Sequence, residues 1–474
     1  MIVPNLCPRP RPLSPRPPRL VTAPAEAYAA NDPTMMKLSL LAPVACLAIL
    51  NPAFAQSPAP VAPASALSAA ETAAGWRTLL TDNAAPGFRG YKQPGFPAKG
   101  WTVTGGVLKS IKGGGGGDLV TSDEFGDFEL VCEFRCSPKA NSGIMYRVAE
   151  TLDSAWQTGP EYQILEDATY GAKSTDMHSC GALYDLAPPV EGKTMKSIES
   201  GEWNEARIRL RNGIVQHYLN GVKVVECPVE GADWAARIAK SKFKDYKGFG
   251  VLPKGRLALQ DHGDEVSYRN IKVRDLGAKS DGTIALWNGK DLAGWKAFVP
   301  DAEKAGVKPE SVWSIEDGVL VCKGNPVGYI RTEKDHTNYV LRLQWRFSPV
   351  TKKAGNSGVL LRMIGEDKVW PRSVEAQLQS GSAGDFWNIE NFVMTADPAR
   401  TNGRNTKKMS KDVERPLGEW NEYEIVVDHG TITLMVNGEM LNQATKVEEV
   451  AGKICLQSEG AEIHFKNISL TPIK

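Results

Sequence analysis

In "PEYQILED", Glu161 and Gln163 set a carboxylate and an amide side by side on alternate positions, and Asp167 follows closely. Farther along, His178 precedes Tyr184 and Asp185 in "MHSCGALYD", and His262 follows Gln260 in "LALQDHG". Upstream, "NSGIMYR" places Asn141 and Arg147 on either side of a glycine. Carboxylates and imidazoles move protons, planar amides pair with hydroxyls, and a guanidinium holds developing negative charge without titrating. Such a set suits proton abstraction on, or recognition of, a hydroxyl-rich ligand. His178 and His262 each read as a general base, as a metal ligand or as an ordinary surface histidine. Cys180 is a candidate nucleophile, although no third orienting group is evident for it.

The elements that must position these residues occur twice. "NSGIMYR" (141–147) returns as "NSGVLLR" (356–362), "EYQ" (161–163) as "EAQ" (375–377), and "LALQDHGDEVSYRNIKV" (257–273) as "ICLQSEGAEIHFKNISL" (454–470). "GEWNEARIRLRNGIVQHYLNGVKV" (201–224) matches "GEWNEYEIVVDHGTITLMVNGEML" (418–441). The second copy therefore carries Asn356, Arg362, Glu375, Gln377 and Gln457 as counterparts of the first set, with Glu459 where His262 stands. The offset between matched positions changes after the long match, which places extra residues of the first copy near 231–250. Each copy is long enough for its own core, and the expected units are residues 76–277 and 283–474.

Both copies read as all-β. Short alternating runs are bounded by Gly, Asn and Asp, and "LNG" and "VNG" are hairpin turns, because Asn-Gly supplies the positive φ angles a type I′ turn needs. "DWAARIAK" is the best helical stretch. Many antiparallel strands with long connections predict two tandem jelly-roll sandwiches.

Alternate residues of a strand share a face. Glu161 and Gln163 therefore face together, as do Asn141, Gly143, Met145 and Arg147, while Gln260 and His262 oppose Leu257 and Leu259. The second copy repeats the pattern. If these strands are neighbours, Arg147, Glu161, Gln163 and His262 converge on one concave floor, where the glycine lets a ligand approach closely. The plainer reading is a set of solvated strand faces. Glu161 and Glu166 fall on opposite faces, so a laminarinase-type E-x-D-x-x-E carboxylate pair would require a bulge.

The ordered set Asn-Ser-Gly-φ-x-x-Arg, Glu-x-Gln, "GALYD", "GEWN", "LNG" and "LQ-HG…RNI", present twice, resembles the 3-keto-disaccharide hydrolase domain family. The resemblance implies a concanavalin-like jelly roll, similar to glucanases and legume-type lectins. It also implies cleavage of glycosides whose C3 hydroxyl has been oxidised to a ketone, with a sugar 3-dehydrogenase upstream and, for some such sites, a divalent metal ion. A C3 ketone acidifies the C2 proton. A base removes that proton, the aglycone leaves from C1, and water then adds across the double bond. Under that resemblance the first copy is the main catalytic one, with His262 or His178 as base or metal ligand beside Glu161. Arg147 would hold the enolate. Asn141, Gln163, Asp167, Tyr184, Gln260, Asn356, Arg362, Glu375, Gln377 and Gln457 would bind sugar. The alternative is a non-catalytic tandem glycan-binding protein, lectin-like.

The chain has 474 residues and a formal net charge of +1, a balance that argues against a nucleic-acid partner. Lys37, the apolar run Leu38–Leu50 and Ala53-Phe54-Ala55 have the order of a secretory signal peptide, so Met35 or Met36 is the expected start and residues 1–34 lie upstream of it. A lipoprotein reading through Cys46 is disfavoured by Pro43 and by the apolar tail after the cysteine. Residues 56–75 read as an Ala/Pro linker. No later apolar run is long enough to span a bilayer. The expected location is the periplasm. Most of the six cysteines after the leader read as buried thiols.

Overall fold

The computed structural model describes residues 66–474, apart from 174, 192, 197–200 and 411–412. The expected leader, the residues before it and the first part of the linker lie outside the described residues. Two β-sandwiches follow one another, each around its own apolar core: Phe128, Phe134, Tyr146 and Tyr162 in the first, Tyr339, Trp345, Leu361 and Tyr423 in the second.

In the first sandwich the back sheet runs Val222–Pro228, Ile214–Leu219, Asn204–Arg211, Phe128–Cys136, Val266–Asp275, Val107–Ser110, Trp101–Thr104. Its front sheet runs Phe88–Gly90, Leu119–Thr121, Arg256–Leu259, Asn141–Val148, Glu161–Leu165. The back sheet of the second sandwich has the same order, from Glu439–Ala444 through Tyr339–Phe347 to Trp313–Glu316. Its front sheet repeats the first one and then adds Phe386–Ile389, Asn405–Thr406 and Thr401–Asn402 beyond Ser373–Gln377. The Asn-Gly turns form as the sequence dictates, with φ of 50° and 79° at Asn220 and Gly221, and 50° and 86° at Asn437 and Gly438.

Each copy has a segment that the other does not match in structure. In the first it is the helix Gly231–Lys240, whose Trp234 is buried and donates from its indole to the Gly250 carbonyl at 2.9 Å. In the second it is the set of added edge strands. Part of the expected linker is ordered: Ser68 caps the helix Ala69–Ala73 and Glu71 closes the capping box. Ala73 and Ala74 pack on Val340 and Ile473 of the second sandwich.

The outer faces of the two back sheets meet through charge. Arg274 bonds Glu129 at 2.6 Å within the first sandwich and both carboxylate oxygens of Glu424 in the second at 2.9 Å. Arg209 and Arg211 reach Glu422 at 2.6 and 2.8 Å. Burial alone would raise the Glu424 carboxyl, but Arg274 and Arg342 beside it lower it to about 2. With the back sheets apposed, the two front faces lie on opposite sides of the pair.

Candidate active site

Met145 pairs with Glu161 and Gly143 with Gln163, so these residues share the outer face of the first front sheet. A Cβ on Gly143 would lie 1.9 Å from Oε1 of Glu161. The glycine of Asn-Ser-Gly is therefore the place where the Glu161 carboxyl rests on bare backbone. Gln163 donates to Oδ1 of Asn141 at 3.2 Å, and the Gln260 backbone N–H bonds the Gly143 carbonyl at 3.0 Å. The alternation expected for Asn141, Glu161 and Gln163 thus places them together.

Glu161 is 5% exposed. Burial raises its carboxyl to about 8, Lys242 opposes the rise and Asp118 adds to it. Asp118 is itself raised, mainly by burial. Lys242 comes from the segment following the inserted helix. Its Nζ stands 4.2 Å from the Tyr184 ring centroid and 5.4 Å from that of Trp156, and burial lowers its pKa against the pull of Glu161 and Asp185. Tyr184 is fixed by its N–H to the Glu161 carbonyl at 3.0 Å. The result is a buried carboxyl, a partly desolvated ammonium and an aromatic wall.

Both histidines flank this group. His178 packs on Tyr184 with ring centroids 4.8 Å apart, and its ring nitrogens lie 3.3 Å from Asp176 and 3.2 Å from Asp185. His262 lies 3.8 Å from Asp264 and acts electrostatically on Asp118. Both side chains are about half exposed. The charges acting on Glu161 come from Lys242 and Asp118 rather than from either histidine.

Expectations for five residues are corrected. Arg147 leaves the face: it has φ of 54°, and the register slips opposite it between Arg256 and Ala258. A bulge of this kind breaks alternation. The Arg147 side chain is 3% exposed and bonds the Val229 carbonyl at 3.3 Å and Glu230 at 3.0 Å. Arg362 repeats the bulge with φ of 50° and bonds the carbonyls of Glu448 and His429 at 2.5 and 2.7 Å. Both arginines are latches between chain segments, not ligand contacts. Asp167 is committed to the Cys180 N–H at 2.7 Å and to the buried Lys193 ammonium at 2.8 Å. Gln377 spends its side-chain oxygen on the N–H groups of Leu378 and Gln379 at 2.8 and 2.9 Å. Cys180 is no nucleophile, since burial pushes its thiol up to about 12. All six described cysteines are buried and unpaired.

On the second front sheet, a Cβ on Gly358 would lie 2.3 Å from Oε1 of Glu375 and 2.2 Å from Oε1 of Gln457. Burial raises Glu375 to about 8, and Glu459 adds to the rise while Arg404 opposes it. Burial raises Glu459 to about 7 against a hydrogen bond from Asn356. Trp387 pairs directly with Glu375 and shares its face, and Arg404 stands 5.7 Å from the Trp387 ring centroid.

Lys242 and Arg404, the cations beside the two buried glutamates, were not anticipated. Lys242 lies in the insertion of the first copy and Arg404 in the turn between edge strands that the second copy alone forms, so matching the copies passes over both. Among the described residues no three His, Cys, Asp or Glu side chains gather into a metal-ligating group, and no step is assigned to a metal ion.

A model of the 3-keto-alpha-glucoside-1,2-lyase-like domain matches residues 75–274 and again 282–471. The chain belongs to that family. A 3-keto-disaccharide hydrolase of Bacteroides thetaiotaomicron is 33% identical over 234 residues, which are 43% of this chain and 79% of that protein. A provisionally assigned glycosyl hydrolase from Parabacteroides distasonis is 29% identical, with a TM-score of 0.40, over 44% of this chain and 98% of its own. A beta-glucanase of Bacillus licheniformis, 12% identical, has a TM-score of 0.27 over 41% of this chain. The protein is thus a 3-keto-disaccharide hydrolase-like, carbohydrate-active member of the family, carrying the domain twice.

Proposed function

We propose that this chain cleaves 3-keto-glycosides by elimination, and that the first sandwich performs the elimination at Glu161. The observation that carries the proposal is the Glu161 carboxyl, resting on Gly143 beside Lys242 and raised to about 8 by burial. A base is strongest when its conjugate acid is weak, and a pKa near the working pH gives the best compromise between strength and availability. Ionised Glu161 takes the C2 proton of the ketone sugar. The electrons move toward the C3 oxygen, where the Lys242 ammonium stabilises the growing charge in a site partly stripped of water. The C1–oxygen bond then breaks and the aglycone departs. Tyr184 and Trp156 supply a flat apolar wall for a sugar ring, and Asn141 and Gln163 supply amides for its hydroxyls. The cation role expected of Arg147 passes to Lys242, and the base role expected of His262 or His178 passes to Glu161.

The remaining readings are part of the same proposal. The substrate implies an upstream dehydrogenase that oxidises C3. The signal-peptide pattern over 36–55 supports export to the periplasm as the setting for this reaction. Purified protein incubated with a 3-keto-disaccharide and with its unoxidised parent tests the proposal: release of aglycone from the ketone alone is expected. Cleavage of both at similar rates would indicate ordinary glycoside hydrolysis. Binding without cleavage of either would leave the lectin-like alternative.

A further inference from the structure

The seam between the two back sheets holds a cavity of about 310 Å³, lined from both sandwiches and from the segment that joins them. No residue of either front face lines it. Its arginines are engaged, but not fully. Glu422 accepts from Nη2 of Arg209 and from Nε of Arg211, and Glu424 accepts from Arg274 and from Nε of Arg342 at 2.7 Å. Arg211 also donates Nη1 to Asp127 and to the Leu276 carbonyl at 3.0 and 2.8 Å, and Arg342 donates Nη2 to the Ala74 carbonyl at 2.9 Å. Among the described residues these contacts leave Nη1 of Arg209, Nη2 of Arg211 and Nη1 of Arg342 without a partner. Nε of Arg209 is unpartnered as well. Arg209 is 7% exposed, so the little space open to its Nη1 is the cavity it lines. A nearly buried guanidinium with donors unpaired is costly unless something completes it.

The charges of the seam say what would complete it. Lining the cavity are Arg209, Arg211, Arg274, Arg342 and Lys279 against Asp275, Glu422 and Glu424. Directly behind them Glu129 is held by Arg274 and Arg207, and Asp127 by Arg211. The set therefore has six cations and five carboxylates, and one further negative charge balances it. A carboxylate is the planar anion that the parallel N–H groups of guanidinium fit best. The Ser469 hydroxyl and the Asn467 side-chain carbonyl line the same cavity and are free to pair with hydroxyls, while Leu276 and Met435 supply an apolar part. The volume lies at the small end of the range for ligand pockets, about 300–1,000 Å³, which suits one six-carbon unit. We infer that this seam cavity binds a small hydroxylated monocarboxylate, a sugar acid of about six carbons, whose carboxylate meets arginines of both sandwiches. The site is separate from the front faces, and the inference does not depend on the elimination reading. Because its walls come from both sandwiches, the ligand binds only while the back sheets are apposed, so it holds the pair together and raises the stability of the folded chain by linkage.

The test titrates the full chain with gluconate by isothermal calorimetry, with glucose and acetate as controls, and follows the thermal unfolding midpoint alongside. Saturable binding of one gluconate per chain is expected, with the midpoint rising as gluconate is added. Glucose lacks the carboxylate and acetate lacks the hydroxyls, so both should bind at least about tenfold more weakly. Two variants locate the site. Arg342→Lys keeps the charge beside Glu424 but removes the unengaged guanidinium nitrogen, and should weaken gluconate about 10–100-fold. Ala278 lines the cavity from an exposed loop, so Ala278→Trp fills the space without touching an ion pair and should abolish binding; it keeps the test open even where Arg342→Lys folds poorly. No saturable binding of gluconate at millimolar concentration, equal binding of glucose or of acetate, or an affinity unchanged in Ala278→Trp or in folded Arg342→Lys would each overturn the inference. The last result would place any bound gluconate elsewhere on the chain.

Discussion

Replacing Glu161 with Gln should make the protein more stable at neutral pH and nearly inactive in elimination. The folded-state carboxyl is raised from 4.5 to about 8, chiefly by burial. Between those values the unfolded chain ionises this group and the folded chain does not, so the unfolded state binds fewer protons and stability falls as pH rises. Below pH 4.5 both states are protonated and the penalty vanishes. At pH 7 it amounts to about 3 kcal/mol, at about 1.4 kcal/mol per unit of pKa difference. Gln fills nearly the same space, carries no charge and escapes the penalty. Denaturant unfolding of wild type and Glu161→Gln at pH 4 and pH 7 reads the difference. A gap that opens between the two pH values, in favour of Gln, is expected, alongside a 10²–10⁴-fold loss of aglycone release. A variant that is less stable at pH 7, or a gap independent of pH, would refute a buried, raised carboxyl at this position. The trade of stability for a strained functional group is the general pattern at such sites.

Other outcomes follow from the same contacts. Lys242→Met removes the charge that holds Glu161 down, so the midpoint of the pH–rate profile for aglycone release should move above its wild-type position, which is expected near 8. Gly143→Ala puts a Cβ 1.9 Å from the Glu161 carboxylate; the carboxyl must shift, and elimination should fall at least tenfold with folding retained, as read by circular dichroism and initial rates. Arg147→Met leaves the Val229 carbonyl without its partner and should cost about 1–3 kcal/mol in denaturant unfolding, with kcat of the folded protein unchanged. Arg274→Met takes from the buried Glu129 and Glu424 one of the two arginine partners each has and should destabilise the chain by about 1.5–3 kcal/mol.

The doubled all-β architecture was legible because the matched segments include their turns, and Asn220-Gly221 and Asn437-Gly438 leave little choice of hairpin. Strand alternation correctly brought Asn141, Glu161 and Gln163 to one face. It failed at Arg147 and Arg362, because a left-handed residue in a bulge reverses which side a side chain takes, and no residue type in "MYR" or "LLR" announces that conformation. Asp167 sits one turn beyond its strand, and its true partner, Lys193, comes from a distant loop that local sequence does not connect to it. The Ser68–Glu71 capping box was readable but lay within a stretch whose Ala/Pro composition suggested a linker. Lys242 and Arg404 escaped notice because a comparison of two copies highlights what they share, whereas each cation belongs to what one copy alone possesses.

The central claim is that the C2–H bond breaks during cleavage and that Glu161 breaks it. A 3-keto-disaccharide carrying deuterium at C2, incubated in ordinary water and quenched early, tests this directly by mass analysis of the released 3-keto sugar. Loss of the deuterium in step with aglycone release is expected, faster than in an enzyme-free control or with Glu161→Gln. Aglycone released with the C2 deuterium intact would contradict elimination and show direct displacement at C1.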